Sequence, residues 1–210
     1  MTKIILNGPK NFQFSVALAH GAGTPMDAHF MTFFAEGLAA HGARVIRFEF
    51  PYMYERRISG KKLLPNKIEL LLETWHQIID QLGTEKLIIG GKSLGGRVAS
   101  MVADEVGVMG LVCLGYPFHP FNRPDKLRIK HLKDIKTPSL FLQGERDSFG
   151  NKVEVSEYKL SNNARFHWVE DGDHSFKPRR KSGRNEQKNL DDALDVLIEF
   201  VRTLNEKSNE

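Results

Sequence analysis

Seven short runs of β-favouring residues punctuate the chain, and several are apolar at consecutive positions, as in Leu87-Ile88-Ile89. A strand with one wet face alternates apolar and polar residues, so an unbroken apolar run describes a strand covered on both faces. The runs predict strands over Lys3–Leu6, Phe14–Ala19, Arg44–Phe48, Lys86–Ile89, Met109–Leu114, Ser139–Leu142 and Ala164–Val169. Segments of helical period lie between them. One opens at Thr24-Pro25-Met26-Asp27, with an N-cap, a proline and an acid in sequence; it carries Phe30, Phe33, Phe34 and Leu38 on one side and stops at Gly42. A second opens at Asn66-Lys67-Ile68-Glu69, places Leu71, Trp75, Ile78 and Leu82 on one face and ends at Gly83. A third follows Ser93 with Val98, Met101, Val102 and Val106, and ends at Gly107. The last runs from about Leu190 to Leu204 with Ala193, Leu194, Leu197, Phe200 and Val201 inward. This alternation predicts an α/β fold, a mostly parallel central sheet with helices on both faces.

With 210 residues, 40% of them hydrophobic and 27% charged, the chain reads as one domain over 1–210 with a substantial core. No internal repeat or long linker divides it. The composition excludes a disordered chain, a collagen-like repeat and a disulfide scaffold. Cys113 stands alone, so no intrachain disulfide can form, and a reducing, cytoplasmic setting is expected. The start, Met1-Thr2-Lys3-Ile4-Ile5-Leu6-Asn7-Gly8-Pro9, is too short an apolar run for a signal peptide. No run approaches the ~18 apolar residues of a membrane span. The net charge of +4 is local: Lys177 to Lys188 holds six basic residues and one acid, a local +5, which leaves −1 elsewhere. A nucleic-acid partner is therefore not implied.

In α/β sheets ligands bind outside the carboxyl ends of the strands, so chemistry belongs in the loops that follow them. Three such loops carry it. Gly91-Lys92-Ser93-Leu94-Gly95, between an apolar strand and an amphipathic helix, matches G-x-S-x-G, in which a serine projects from a strained turn. The plainer reading is a glycine-rich turn needed only for close helix–sheet packing. Gly144-Glu145-Arg146-Asp147 offers Asp147 to orient a histidine, with Glu145 as a structural or salt-bridging acid. Asp171-Gly172-Asp173-His174-Ser175-Phe176 follows the last strand and offers His174 as general base. His29, His41, His76 and His167 lack that context and read as solvated or packing residues. A fourth segment, Leu18-Ala19-His20-Gly21-Ala22-Gly23, ends an early strand in small residues that let backbone approach a substrate oxygen. The oxyanion donors are assigned to the N–H groups of Leu94 and Ala22, with Gly21 as the alternative. His20, Lys92 and Tyr116 are the candidate substrate-contacting side chains, His20 favoured as a brace for its loop. Nucleotide motifs fail: a P-loop would need glycine where Lys86 stands, and a dinucleotide fingerprint from Gly21 would need one where Met26 stands. No cofactor and no metal site is expected.

The order Ser93, Asp147, His174 is that of the α/β-hydrolases. With His20-Gly21-Ala22-Gly23, Gly90-Gly91-Lys92-Ser93-Leu94-Gly95-Gly96-Arg97, Leu114-Gly115-Tyr116-Pro117-Phe118-His119-Pro120, Gln143-Gly144-Glu145-Arg146-Asp147 and Gly172-Asp173-His174, the chain resembles the α/β-hydrolase superfamily, dienelactone-hydrolase-like branch, over nearly its whole length. More closely it resembles a subfamily of small hydrolase-like proteins whose eukaryotic relatives include a testis-expressed protein and a subunit of a histone-acetyltransferase complex. The resemblance implies an α/β-hydrolase fold and a triad of Ser93, Asp147 and His174. Only Gly115–Lys136 separates the fifth strand from Thr137-Pro138, so the fold should carry a minimal cap or none.

Two functions follow. The first is a serine hydrolase of a small ester, thioester or related acyl compound. The alternative is a non-catalytic hydrolase-like binding or scaffold protein, with Lys177-Pro178-Arg179-Arg180-Lys181 as its basic surface. Three basic clusters lie after strand ends: Arg56, Arg57, Lys61 and Lys62; Arg123, Lys126, Arg128 and Lys130; and Lys177, Arg179, Arg180, Lys181 and Arg184. Ringed around one mouth they would favour an anionic substrate; the plainer reading is solvated loops.

Overall fold

The structure is a computed structural model that describes residues 3–208; the outermost two residues at each end of the expected 1–210 domain, and the Met1-Thr2 start, lie outside them. Among the described residues, seven strands form one sheet in the order β1-β3-β2-β4-β5-β6-β7. They are β1 (Ile4–Asn7), β2 (Ser15–Ala19), β3 (Arg44–Phe48), β4 (Leu87–Lys92), β5 (Gly110–Leu114), β6 (Ser139–Gly144) and β7 (Ala164–Val169). Only β1 runs antiparallel, against β3; each other neighbouring pair is parallel. Six helices accompany them: α1 (His29–Ala40), α2 (Pro51–Ser59), α3 (Ile68–Leu82), α4 (Leu94–Val106), α5 (Lys152–Ser156) and α6 (Glu186–Lys207). No helix among the described residues is long and apolar enough to cross a membrane.

The consecutive apolar positions resolve into two cores, one on each face. Ala17, Ile46, Ile89 and Leu111 pack with Trp75 and Ile78 of α3 and Val98 and Val102 of α4. Their neighbours in sequence, Val16, Val45, Ile88 and Val112, pack with Phe34 and Leu38 of α1 and Leu197 and Val201 of α6. A period of two sends alternate residues to opposite faces, and both faces are dry, so neighbours such as Ile88 and Ile89 are both apolar. After β2 the chain crosses to β3 on one side, then returns to β4 on the other. The crevice at the carboxyl ends of β2 and β4 is therefore the switch point of the sheet, where such folds place ligands.

Several sequence boundaries shift. The fourth strand extends past Ile89 through Gly90, Gly91 and Lys92, because its flat glycines still pair with β5. The first helix starts at His29, not at Thr24-Pro25. That earlier segment is claimed by tertiary partners: Arg47 donates to Met26 O, and Asp27 pairs with Arg57. Asn66 does not cap α3, since its Oδ1 accepts the Tyr52 N–H at the start of α2. Helix α2 lies where a basic loop was expected; Pro51 at its first turn and Gly60 in the left-handed conformation at its end are the local signals. Helix α6 opens one turn early at Glu186, capped by the Asn185 side chain on Lys188 N. Between β5 and β6 there is only a 3₁₀ turn, Lys130–Lys133, and no helical cap.

Candidate active site

Ser93 joins β4 to α4 with φ 51° and ψ −111°, a backbone region that non-glycine residues occupy only under constraint. The constraint is visible. Its N–H donates to Leu114 O of β5 at 3.0 Å. A Cβ at Gly91 would stand 2.1 Å from Ala19 O and one at Gly95 2.2 Å from the same atom, so the turn presses against the end of β2 in a space only glycine fits. The serine hydroxyl is thereby lifted above the sheet, and the Leu94 N–H becomes the first of a helix, with no partner inside it.

His174 hangs in the loop after β7, which Asp173 closes by accepting the N–H groups of Ser175 and Lys177 at 2.8 and 3.0 Å. Its Nε2 lies 2.9 Å from Ser93 Oγ and its Nδ1 2.7 Å from Asp147 Oδ2. Asp147 is fully buried after β6; Phe149 N donates to Oδ1 and Gln143 Nε2 to Oδ2, both at 2.9 Å. A carboxylate held by donors can only accept, so Nδ1 carries the histidine proton and Nε2 faces the serine as an acceptor. Burial lowers the His174 pKa below its ordinary 6.5; the Asp147 hydrogen bond opposes that and the nearby Lys92 charge adds to it. Near neutral pH the imidazole is uncharged, the form that can take a proton.

The loop after β2 is fixed by its carbonyls. His20 Nε2 accepts the Phe50 N–H at 3.1 Å, so Nδ1 carries the proton and donates to Gly21 O at 2.7 Å. The Tyr52 hydroxyl donates to Ala22 O at 3.1 Å. In a trans peptide the N–H points opposite the carbonyl, so tying Gly21 O back turns the Ala22 N–H the other way. Ala22, Ser93 and Leu94 line one cavity of about 390 Å³. Its apolar wall comes from Pro65, Ile68, Leu71, Pro117 and Phe149.

Of the candidate substrate-contacting side chains, none lines that cavity. His20 is fully buried as a brace. Tyr116 is fully buried and donates to Arg128 O. Lys92 is turned under the His174 loop, its ammonium donating to His174 O and lying 5.0 Å from the centre of the Phe30 ring. Burial brings its pKa from 10.5 down to about 8. The tertiary fold supplies other residues that local sequence did not mark: Pro65 comes from the segment before α3, Ile68 and Leu71 from its start, Phe149 packs 4.5 Å from the His174 ring, and Gln143 braces Asp147. Only Gln143 had a signal, its place in the Gln143–Asp147 motif. Glu145 is the salt-bridging acid, bonded to Lys152 and to Asp171 N.

Five of the thirteen basic residues in the three clusters are paired. Arg57 meets Asp27 and Glu49, Arg123 meets Asp125, Arg179 meets Asp171, Lys177 meets Glu186, and Arg184 meets Glu170 and Asp192. Surface pairing of this kind cancels the contribution of those five, while the other eight meet no carboxylate among the described residues.

A family model described as an alpha/beta hydrolase domain matches residues 13–202. Among solved structures, a dienelactone hydrolase from Anabaena variabilis superposes with TM-score 0.72 at 22% identity, over 96% of this chain and 91% of that one. A serine hydrolase without a lid from Xanthomonas campestris gives 0.69 at 17%, over 96% and 88%. Est1E from Butyrivibrio proteoclasticus, with ferulic acid bound, gives 0.69 at 15%, over 96% of each. The sheet order, the matched span and these superpositions agree on an α/β-hydrolase fold, and the chain belongs to the alpha/beta hydrolase domain family.

Proposed function

We propose that this protein is a serine hydrolase of a small ester, thioester or related acyl compound. Ser93 Oγ attacks the carbonyl carbon while His174 Nε2 takes its proton, and Asp147 holds the imidazole in the required tautomer and stabilises its charged form. The oxyanion that develops faces the Leu94 and Ala22 N–H groups; one such donor contributes roughly 3 kcal/mol in comparable sites. The leaving alcohol or thiol departs with the proton from Nε2. Water then repeats the sequence on the acyl-serine and restores the free hydroxyl.

The observation that carries this reading is the unbroken hydrogen-bonded series from Ser93 through His174 to Asp147, at 2.9 and 2.7 Å, opening on a cavity. The scaffold alternative leaves the strained turn at Ser93 without a purpose, since such a conformation costs about 1–3 kcal/mol. The narrower kinship, with the subfamily that includes a testis-expressed protein and an acetyltransferase-complex subunit, rests on the motifs around Ser93, Tyr116 and His174. A cytoplasmic setting rests on the single cysteine, Cys113, which is buried and free.

The test uses a fluorophosphonate probe and short p-nitrophenyl esters. The wild-type protein should label at Ser93 and turn over acetyl and butyryl esters. Ser93→Ala should do neither while keeping its circular dichroism spectrum. An unlabelled wild-type protein, or full esterase activity in Ser93→Ala, would overturn the proposal.

A further inference from the structure

Among the residues lining the cavity over Ser93, two carry charge, and both are arginines: Arg97 and Arg128. Arg97 stands one turn after Ser93, its N–H donating to Ser93 O at 2.9 Å, and residues four apart share a helix face. Arg128 arrives from the β5–β6 connection, held in place by the Tyr116 hydroxyl on its carbonyl. The two are close enough that the charge of Arg97, after burial, lowers the pKa of Arg128.

Arg57, Arg123, Arg146, Arg179 and Arg184 each meet a carboxylate. Among the described residues neither Arg97 nor Arg128 does, and Arg97 Nε is buried without a hydrogen-bond partner. Asp104, whose charge reaches the neighbouring His131, is already occupied by Lys136 N, Thr137 N and Thr137 Oγ1. His131 beside them contributes no negative charge; burial and Arg97 hold its pKa down to about 4. Two half-buried guanidiniums facing one cavity repel each other and leave planar forks of donors empty, an arrangement that a carboxylate relieves on both counts.

We propose that Arg97 and Arg128 form an anion subsite that binds a carboxylate of the substrate, so that the protein hydrolyses half-esters of short dicarboxylic acids. The proposal rests on the serine-hydrolase reading above and names its substrate class. The acyl part stays bound through both chemical steps, whereas the alcohol leaves after the first, so a charged subsite is of most use to the acyl part. Its methylene chain lies along Ile68, Leu71 and Phe149. The distal carboxylate takes no part in bond making. Ser93 Oγ forms an ester to the acyl carbon, the alcohol leaves with a proton from His174, and water cleaves the acyl-serine to give the dicarboxylate and free Ser93.

The experiment compares monomethyl adipate with methyl hexanoate, its uncharged isostere, by methanol release, and measures adipate binding to the wild-type protein by calorimetry. At low salt the half-ester should have a kcat/KM about tenfold or more above the neutral ester, and physiological salt should reduce that ratio. Arg97→Gln and Arg128→Gln should each lower the ratio about tenfold and weaken adipate binding, and Arg97→Lys should restore part of it, since it returns the charge without the fork. Equal kcat/KM for the two esters with no adipate binding would overturn the subsite while leaving the hydrolase standing. Arginine-dependent adipate binding with neither ester turned over would support the subsite and remove the hydrolase. A preference indifferent to both arginine substitutions would also overturn the subsite.

Discussion

As the base of the proposed reaction, His174 would set the pH behaviour of the site. Its pKa is lowered, chiefly by burial, so the base is competent once pH exceeds a value below 6.5. The kcat/KM of the free protein should therefore fall only as pH drops through that lower value. A pH–rate profile on a neutral ester checks this, and an acid limb centred above 6.5 would contradict it. Lys92 makes a second, separable claim. Its folded pKa is about 8 against an ordinary 10.5, so between those values the unfolded chain binds more protons. Stability must then rise with pH across that window, by on the order of 2 kcal/mol from this group. Denaturant melts of wild type and Lys92→Met at pH 8 and pH 10 isolate the contribution: the wild type should gain on the variant as pH rises. Lys92 was expected to touch substrate, but its neighbour's strained turn points the two side chains apart, and the lysine goes to the His174 carbonyl instead.

At the scale of elements, the turn from β4 to α4 has no room for a side chain at its glycines. A Cβ at Gly95 meets backbone, Ala19 O at 2.2 Å, and β2 cannot withdraw without breaking its pairs with β3 and β4. Gly95→Ala should lower stability by about 2–4 kcal/mol or prevent soluble expression. Gly107→Ala is the control. It ends the same helix at φ 66° with open space around it, so only the backbone conformation resists, at about 1 kcal/mol. Thermal melts of the pair would show whether contact, not conformation, dominates at the turn; similar losses would argue against it. Helix starts were less legible than helix bodies. Thr24-Pro25 and Asn66 are good local signals, yet Arg47, Arg57 and the Tyr52 N–H recruit those segments to other tasks.

For the whole molecule, the absence of a helix between β5 and β6 leaves a cavity of about 390 Å³ walled by the start of α3 and by Phe149. That volume suits a short acyl group, so butyryl esters should be turned over at least about tenfold faster than palmitoyl esters, in kcat/KM. Faster palmitoyl turnover would require an apolar channel other than this cavity. The fold class was written in the sequence because its signals are local: consecutive apolar residues such as Leu87-Ile88-Ile89 require two covered faces, and the glycines around Ser93 require a turn. The order of Ser93, Asp147 and His174 along the chain was enough to nominate them, since each sits just past a strand end. What no local pattern holds is which surfaces meet across 20 or more residues. Arg97 and Arg128 look like ordinary surface charges in sequence, as Arg57 and Arg179 do. Only packing decides that the latter meet carboxylates while the former face a cavity without one. The same holds for Lys92 and Tyr116, whose roles depend on directions set by β4 and β5 in the sheet. Sequence period dictates which face a residue takes, and tertiary structure dictates what waits on that face.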